Sequence, residues 1–290
     1  MPEASPPSLE GTSFAGTADS TAYYRRLGEH RYQPTIHTQG AWNEDEQHMA
    51  PVSGLLAHEI EQHEHRGDLQ VCRVTYEILG MIPARETRVE TRTLRPGRTI
   101  ELVEAMLLVD EQPVVRATAW RLSAQDTSAV AGGFAVPLPA PESLPGWDGA
   151  KLWDGGFIAS LDFRVVPGGV PGRGRSWIHS EKDLIEGELC SPTAAFISMV
   201  DTANGHATRA HPRDWMFPNV DLTIHLFRVP RRGWVGLDTT VAFGETGLGL
   251  TASRLFDEHG QVGRAEQILT VRPIPRRRAP GAARTAGECP

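Results

Sequence analysis

Ser191-Pro-Thr-Ala-Ala-Phe-Ile-Ser-Met-Val-Asp201-Thr-Ala-Asn-Gly205 is the stretch from which the rest of the chain can be read. A Ser at the N-cap, a Pro at the first helical position and a Gly at the far end predict a helix. Phe196, Ile197 and Val200 make its body apolar. Asp201 follows directly, with no Lys or Arg near it in sequence to share its charge. A carboxylate at the end of an apolar helix is costly to bury, so it points to a function or to a capped turn over Thr202 to Gly205.

Working outward, four strand-like runs follow this helix: 219–229, 234–244, 248–256 and 261–271, with a hairpin turn at Asp257-Glu-His-Gly260. Residues 157–165 and Ser176 to His179 read as extended. Earlier in the chain, Pro51 to Glu61 places Val52, Leu55, Leu56 and Ile60 at helical spacing. Four long strand-like runs come after it, at 69–79, 85–95, 99–109 and 114–122. Before it, Ala22 to Leu27 is expected as a short helix and 31–39 as extended chain.

Shifting the chain by roughly 148 positions superposes the two halves. Arg116-Ala117 then falls on Arg264-Ala265, Val74-Thr75 on Leu222-Thr223, and Leu102 on Leu250. Asp201 falls on Ser53, so a carboxylate in one half faces a small residue in the other. The pattern implies two copies of one α+β unit, a central helix wrapped by a curved antiparallel sheet. That is a double hotdog. The expected organisation is a disordered terminus over 1–20, a first hotdog over 21–123 and a Pro/Gly-rich linker over 124–156. A second hotdog over 157–272 carries the site, and a disordered tail covers 273–290.

Composition narrows the function classes. The 290 residues carry a formal net charge of −7, which argues against non-specific nucleic-acid binding. Cys72, Cys190 and Cys289 form no metal or redox motif, and an odd count without a signal peptide suggests a reducing cytoplasm. No apolar run approaches the length of a membrane span. His58, His63 and His65 among Glu59, Glu61 and Glu64 lack a His-Glu-x-x-His pattern and read as an exposed polar face, so no metal is expected. No Gly-x-Ser-x-Gly elbow is present, which disfavours a serine hydrolase.

Over 24–272 the chain resembles the double-hotdog acyl-CoA thioesterase II family of the TesB type. The resemblance implies a catalytic Asp on the second central helix, a Thr at the start of the next strand two residues before another Asp, and a Gln on the final strand. In this sequence these positions are Asp201 in Met-Val-Asp-Thr-Ala-Asn-Gly, Asn219 in Phe-Pro-Asn-Val-Asp, and Gln267 in Ala-Glu-Gln-Ile-Leu. Asn in place of Thr departs from the family pattern, yet an amide also donates and accepts hydrogen bonds. The implied reaction is hydrolysis of a fatty or related acyl-CoA, or acyl-carrier, thioester by an oriented water, with no cofactor.

Each residue also has a plainer reading. Asn219 can be a turn residue after Pro218, and Gln267 a strand residue sharing a face with Ala265 and Leu269. Arg228, Arg231, Arg232 and Arg209 are candidates for the phosphates of CoA. Trp42, Trp177 and Trp215 are candidates for an acyl tunnel, with core packing as the alternative. Two other functions stay open. One is a hotdog hydratase or dehydratase pairing His48, in His-Met-Ala-Pro-Val-Ser-Gly54, with Asp201. The other is a non-catalytic acyl-CoA-binding protein. Members of the family lead to the expectation of a homodimer or homotetramer.

Overall fold

The computed structural model describes residues 13–14, 16–133 and 136–274. The tail expected to be disordered lies almost wholly outside them. The strands are β1 (Ala22–Gly28), β2 (Arg31–Pro34), β3 (Leu69–Ile78), β4 (Thr87–Arg95), β5 (Ile100–Val109) and β6 (Gln112–Ser123). They continue with β7 (Asp162–Val165), β8 (Arg173–His179), β9 (Asp183–Ile185), β10 (Trp215–Met216) and β11 (Asp221–Leu226). The last are β12 (Val235–Phe243), β13 (Leu248–Asp257), β14 (Gly260–Thr270) and β15 (Arg272–Pro273). The helices are α1 (Met49–Gln62), α2 (Gly156–Ala159), α3 (Pro192–Val200) and α4 (Ala203–His206).

Thirteen strands form one sheet in the order β7-β8-β12-β13-β14-β11-β3-β6-β5-β4-β2-β1-β9. The two halves of the chain meet at the antiparallel pair β3–β11, where Thr75 lies opposite Thr223. Their hydroxyls are 3.4 Å apart, between residues 148 positions apart in sequence. The repeat seen in the sequence is therefore the register of this central pair. The halves are also interlocked, because β9 from the second half adds in parallel to β1 of the first, Ala22 opposite Asp183.

The helices do not follow the sheet's shift. The N-caps are His48 for α1 and Ser191 for α3, which puts the helices out of step by more than one turn. Ser53 is consequently not the counterpart of Asp201. It sits where the helices cross, its hydroxyl donating to Ala50 O at 2.7 Å, with Ile197 O of the other helix 3.2 Å away. Small residues permit that crossing: a Cβ on Gly54 would lie 2.5 Å from the Ser198 Cβ. Loops absorb insertions that a paired strand cannot, so register survives in the sheet and drifts elsewhere.

Several expectations are corrected. Ala22–Gly28 is a strand rather than a helix, with Tyr23 and Tyr24 both buried. Pairing with β2 and β9 overrides its local propensity. Residues 156–159 form a helical turn instead of extended chain, and Gly205 lies inside α4 rather than ending α3. Gly155 precedes that turn at φ +102°, and a Cβ there would meet Gly40 O at 2.4 Å. The described part of the 1–20 segment is packed: Phe14 is buried, and the Thr17 hydroxyl takes the Ile36 N–H at 3.0 Å. The segment 124–156 does more than link, since Trp153 packs into the main core and Trp147 against it.

Nearly every residue of α1 from Met49 to Ile60 is buried, as befits a helix enclosed on all sides. This includes His58 and Glu59, which corrects the reading of that face as exposed. Glu59 is accommodated by hydrogen bonds with the Tyr32 hydroxyl and, at 2.5 Å, His30 Nδ1.

Candidate active site

Asp201 is the C-cap of α3, and its side chain is buried, with 4 % of the residue exposed. Just past the helix end the Thr202 hydroxyl donates back to Met199 O at 2.7 Å, after which the short α4 begins. Two amides converge on one oxygen of this carboxylate. Asn219 Nδ2 donates to Asp201 Oδ1 at 2.7 Å, and Gln267 Nε2 donates to the same atom at 2.8 Å.

Asn219 is placed just ahead of β11 by its second hydrogen, which goes to Asp221 O at 3.0 Å. Asp221 in turn takes the Ile268 N–H of β14 at 2.6 Å, tying the start of one strand to the end of another. Gln267 sits on the inner face of β14 with Ala265 and Leu269, all buried, while Glu266 faces outward and is exposed. The alternation of a half-buried strand delivers the amide to the helix end. The plain readings of Asn219 as a free turn residue and of Asp201 as a cap alone do not describe these bonds.

Burial pushes the Asp201 carboxyl up to about 7. The hydrogen bonds from Asn219 and Gln267 pull it down, and the charge of Asp221 adds a small upward push. Asp201 therefore titrates near neutrality, where a carboxyl can exchange protons with a reacting water. Its other oxygen, Oδ2, lies 3.7 Å from His48 Nδ1. That nitrogen already accepts the Ala50 N–H at 3.1 Å as the N-cap of α1, so the ring proton belongs on Nε2. Burial lowers the His48 pKa to about 3, which keeps the imidazole neutral.

The start of α1 adds a polar feature. Of its first three backbone positions, Ala50 is capped by His48 and Pro51 has no N–H. Among the described residues no side chain caps the Met49 N–H, and Met49 lines the same cleft as Asp201.

This cleft has a volume of about 400 Å³, and Asp201, Asn219, His48 and Met49 all line it. Met81, Met216 and Ile82 give it apolar walls, and Arg272 supplies a cation. Arg272 was missed from the sequence because its place depends on the short pair β10–β15, which sets Met216 opposite it. A smaller cavity of about 30 Å³ adjoins it, with Trp42 and His48 lining both. Trp42, Trp153 and Phe217 pack edge to face there at 5.0 to 5.7 Å between ring centres.

The other predicted residues lie elsewhere. Arg228 is held by Asp257 through two hydrogen bonds, 2.6 Å and 2.5 Å, and anchors the β13–β14 turn. Arg231 and Arg232 line a separate cavity against the outer side of α3. None of the three lines the Asp201 cleft. Arg209 does not line it either. Trp177 packs in a small core with Leu138 and Phe256, and Trp215 is exposed.

Comparison with known proteins identifies the family of the chain. Residues 38–122 match the acyl-CoA thioesterase N-terminal domain, and residues 135–271 match the acyl-CoA thioesterase C-terminal domain. No curated protein matches the chain in sequence. Among solved structures, a putative thioesterase II from Thermobifida fusca YX is similar at 18 % identity and a TM-score of 0.66, over 87 % of this chain and 96 % of that one. A conserved protein with a hot dog fold from Alicyclobacillus acidocaldarius is similar at 13 % identity and a TM-score of 0.69, over 89 % and 98 %. An acyl-CoA thioesterase II from Mycobacterium marinum is similar at 16 % identity and a TM-score of 0.61, over 87 % and 96 %.

Proposed function

Because the chain belongs to the acyl-CoA thioesterase family and is a thioester hydrolase, we propose that it is of the TesB type, that Asp201 is its general base and that Asn219 and Gln267 hold it in place. The observation that carries this reading is the convergence of both amides on Asp201 Oδ1, which leaves Oδ2 for water. In the reaction, that water attacks the thioester carbonyl while Asp201 takes its proton. The C–S bond of the tetrahedral adduct then breaks, and the thiolate of CoA recovers a proton. The Met49 N–H, at the positive end of α1, is suited to stabilise the developing oxyanion.

The same reading takes the chain as two tandem hotdog units, 21–123 and 157–272, joined at β3–β11. Support comes from the 148-position separation of the paired Thr75 and Thr223. By that shift Asn219 corresponds to Val71 and Gln267 to Ala119, which cannot hold a carboxylate, so one site per chain is expected. Leu250 and Ile268 are exposed and directly opposed on β13 and β14, an apolar outer face suited to pairing of two chains. Arg272 takes the role first given to the arginines near 230, a cation for the phosphates of CoA.

A hydratase is not favoured. It needs a free imidazole nitrogen beside the carboxylate, and the His48 nitrogen nearest Asp201 is occupied by the helix N–H. The test is thiol release from acyl-CoA esters of graded chain length by the native protein and by Asp201→Asn. Release by the native protein and a loss of about 10²- to 10⁴-fold in the variant is expected. Unchanged hydrolysis by a folded variant rejects Asp201 as the base.

A further inference from the structure

The amide of Gln267 is only half accounted for. Nε2 donates to Asp201, but Oε1 is buried and meets no hydrogen-bond partner among the described residues. The Thr251 hydroxyl is in the same condition, buried with no partner. Both residues are 1 % exposed. These two unmatched atoms belong to residues directly opposite each other in the β13–β14 pair, Thr251 facing Gln267. Directly opposed side chains share a face of the sheet, with Cβ atoms about 5 Å apart.

The neighbouring hydroxyls of this inner face are engaged. Thr239 and Ser253 bond each other at 2.8 Å, and Thr239 also meets His206 Nε2 at 3.1 Å. Thr251 is thus the hydroxyl of this row left without a partner among the described residues, and it stands opposite Gln267, whose Oε1 is also buried without one. Buried polar atoms are ordinarily satisfied. A valine would fill the same volume in a strand without leaving a polar atom over.

We propose that Thr251 is a positioning residue for the hydrolysis, its hydroxyl donating to a single bridging water that donates to Gln267 Oε1 and so fixes the amide with its nitrogen toward Asp201. The proposal rests on the reading of Asp201 as the base. An amide rotated by half a turn would set Oε1 against the carboxylate, oxygen to oxygen, and remove one of the two donors on Oδ1. A carboxylate with fewer donors holds its proton to higher pH. The hydroxyl expected at the position of Asn219 is then supplied from another strand, one residue further from the carboxylate.

The experiment compares native protein, Thr251→Val, Thr251→Ser and Asp201→Asn for thermal stability and for the pH dependence of thioester hydrolysis. Thr251→Val keeps the packing of the strand but leaves Gln267 Oε1 without its donor, so it is expected to stay folded and to melt modestly lower than the native protein. Its KM should stay constant and its kcat fall about tenfold, the effect of one hydrogen bond. The acid limb of its profile should move to higher pH, and Thr251→Ser should restore both kcat and the limb. Thr251→Ala is read in the same way should the valine variant not fold. Native kcat and an unmoved limb in a folded Thr251 variant overturn the proposal. If Asp201→Asn hydrolyses at the native rate, it is instead the reading of Asp201 that fails.

Discussion

Asn219 spends both hydrogens of one amide nitrogen: one reaches Asp201 Oδ1 at 2.7 Å, the other Asp221 O at 3.0 Å. A hydroxyl has a single hydrogen and cannot serve both acceptors at once. Asn219→Thr is therefore expected to lower kcat only a few-fold, because a donor to one of the two is kept. Asn219→Ala removes both and should cost about tenfold in kcat, with the acid limb displaced upward. Full pH–rate profiles of the two variants distinguish these outcomes.

The pH profile of the native protein follows from the burial of Asp201. With its carboxyl raised to about 7, the base is protonated and idle below that value. kcat/KM should thus climb tenfold per pH unit below about 7 and level off above it. A limb centred near 4 to 5 would show that the carboxylate titrates as an exposed one.

Stability carries the same signature with the opposite sense. A carboxyl whose folded pKa is raised favours the fold while protonated, fully below its unfolded value. That contribution is lost as pH rises through about 7. Asp201→Asn, neutral at every pH, should gain on the native protein by on the order of 2–4 kcal/mol above pH 7. The gain should fade toward pH 4, and denaturant melts at several pH values measure it.

Gly54 is set by the crossing of α1 and α3 rather than by any turn. Its alanine variant places a Cβ 2.5 Å from the Ser198 Cβ and 3.0 Å from Ala194 O. The helices must separate, at a cost of about 1–3 kcal/mol. Since α3 carries Asp201, the free energy of unfolding and kcat should both fall, and Ser198→Gly in the same chain should recover part of each.

Much of the architecture was legible because it is written in local pattern. The alternation of 69–79, 99–109 and 261–271 predicts strands that the structure has within a few residues, and the Ser191 cap and the spacing of Val52, Leu55, Leu56 and Ile60 mark the two longer helices. Burial misled where a residue's partner is remote. His58 and Glu59 read as solvated because their neighbours in sequence are charged, yet Glu59 is enclosed by Tyr32 and His30 from β2 and the turn before it. Arg228 read as a free cation for the same reason, its partner Asp257 lying on another strand.

By itself the sequence determined the repeat, the helix that ends in Asp201 and the three polar residues of the site. The repeat and the helix follow from periodicity, from caps and from the cost of burying a carboxylate, whereas Asn219 and Gln267 are what the resemblance to the thioesterase family implies. Only the tertiary structure decided that Asn219 and Gln267 each donate a hydrogen to the same oxygen of Asp201, that His48 is spoken for by its own helix, and that Thr251 stands opposite Gln267. The reason is geometric. A strand's alternation states which face a side chain takes, whereas its partner across the core depends on register and on the relative slip of helix and sheet, which no local spacing encodes.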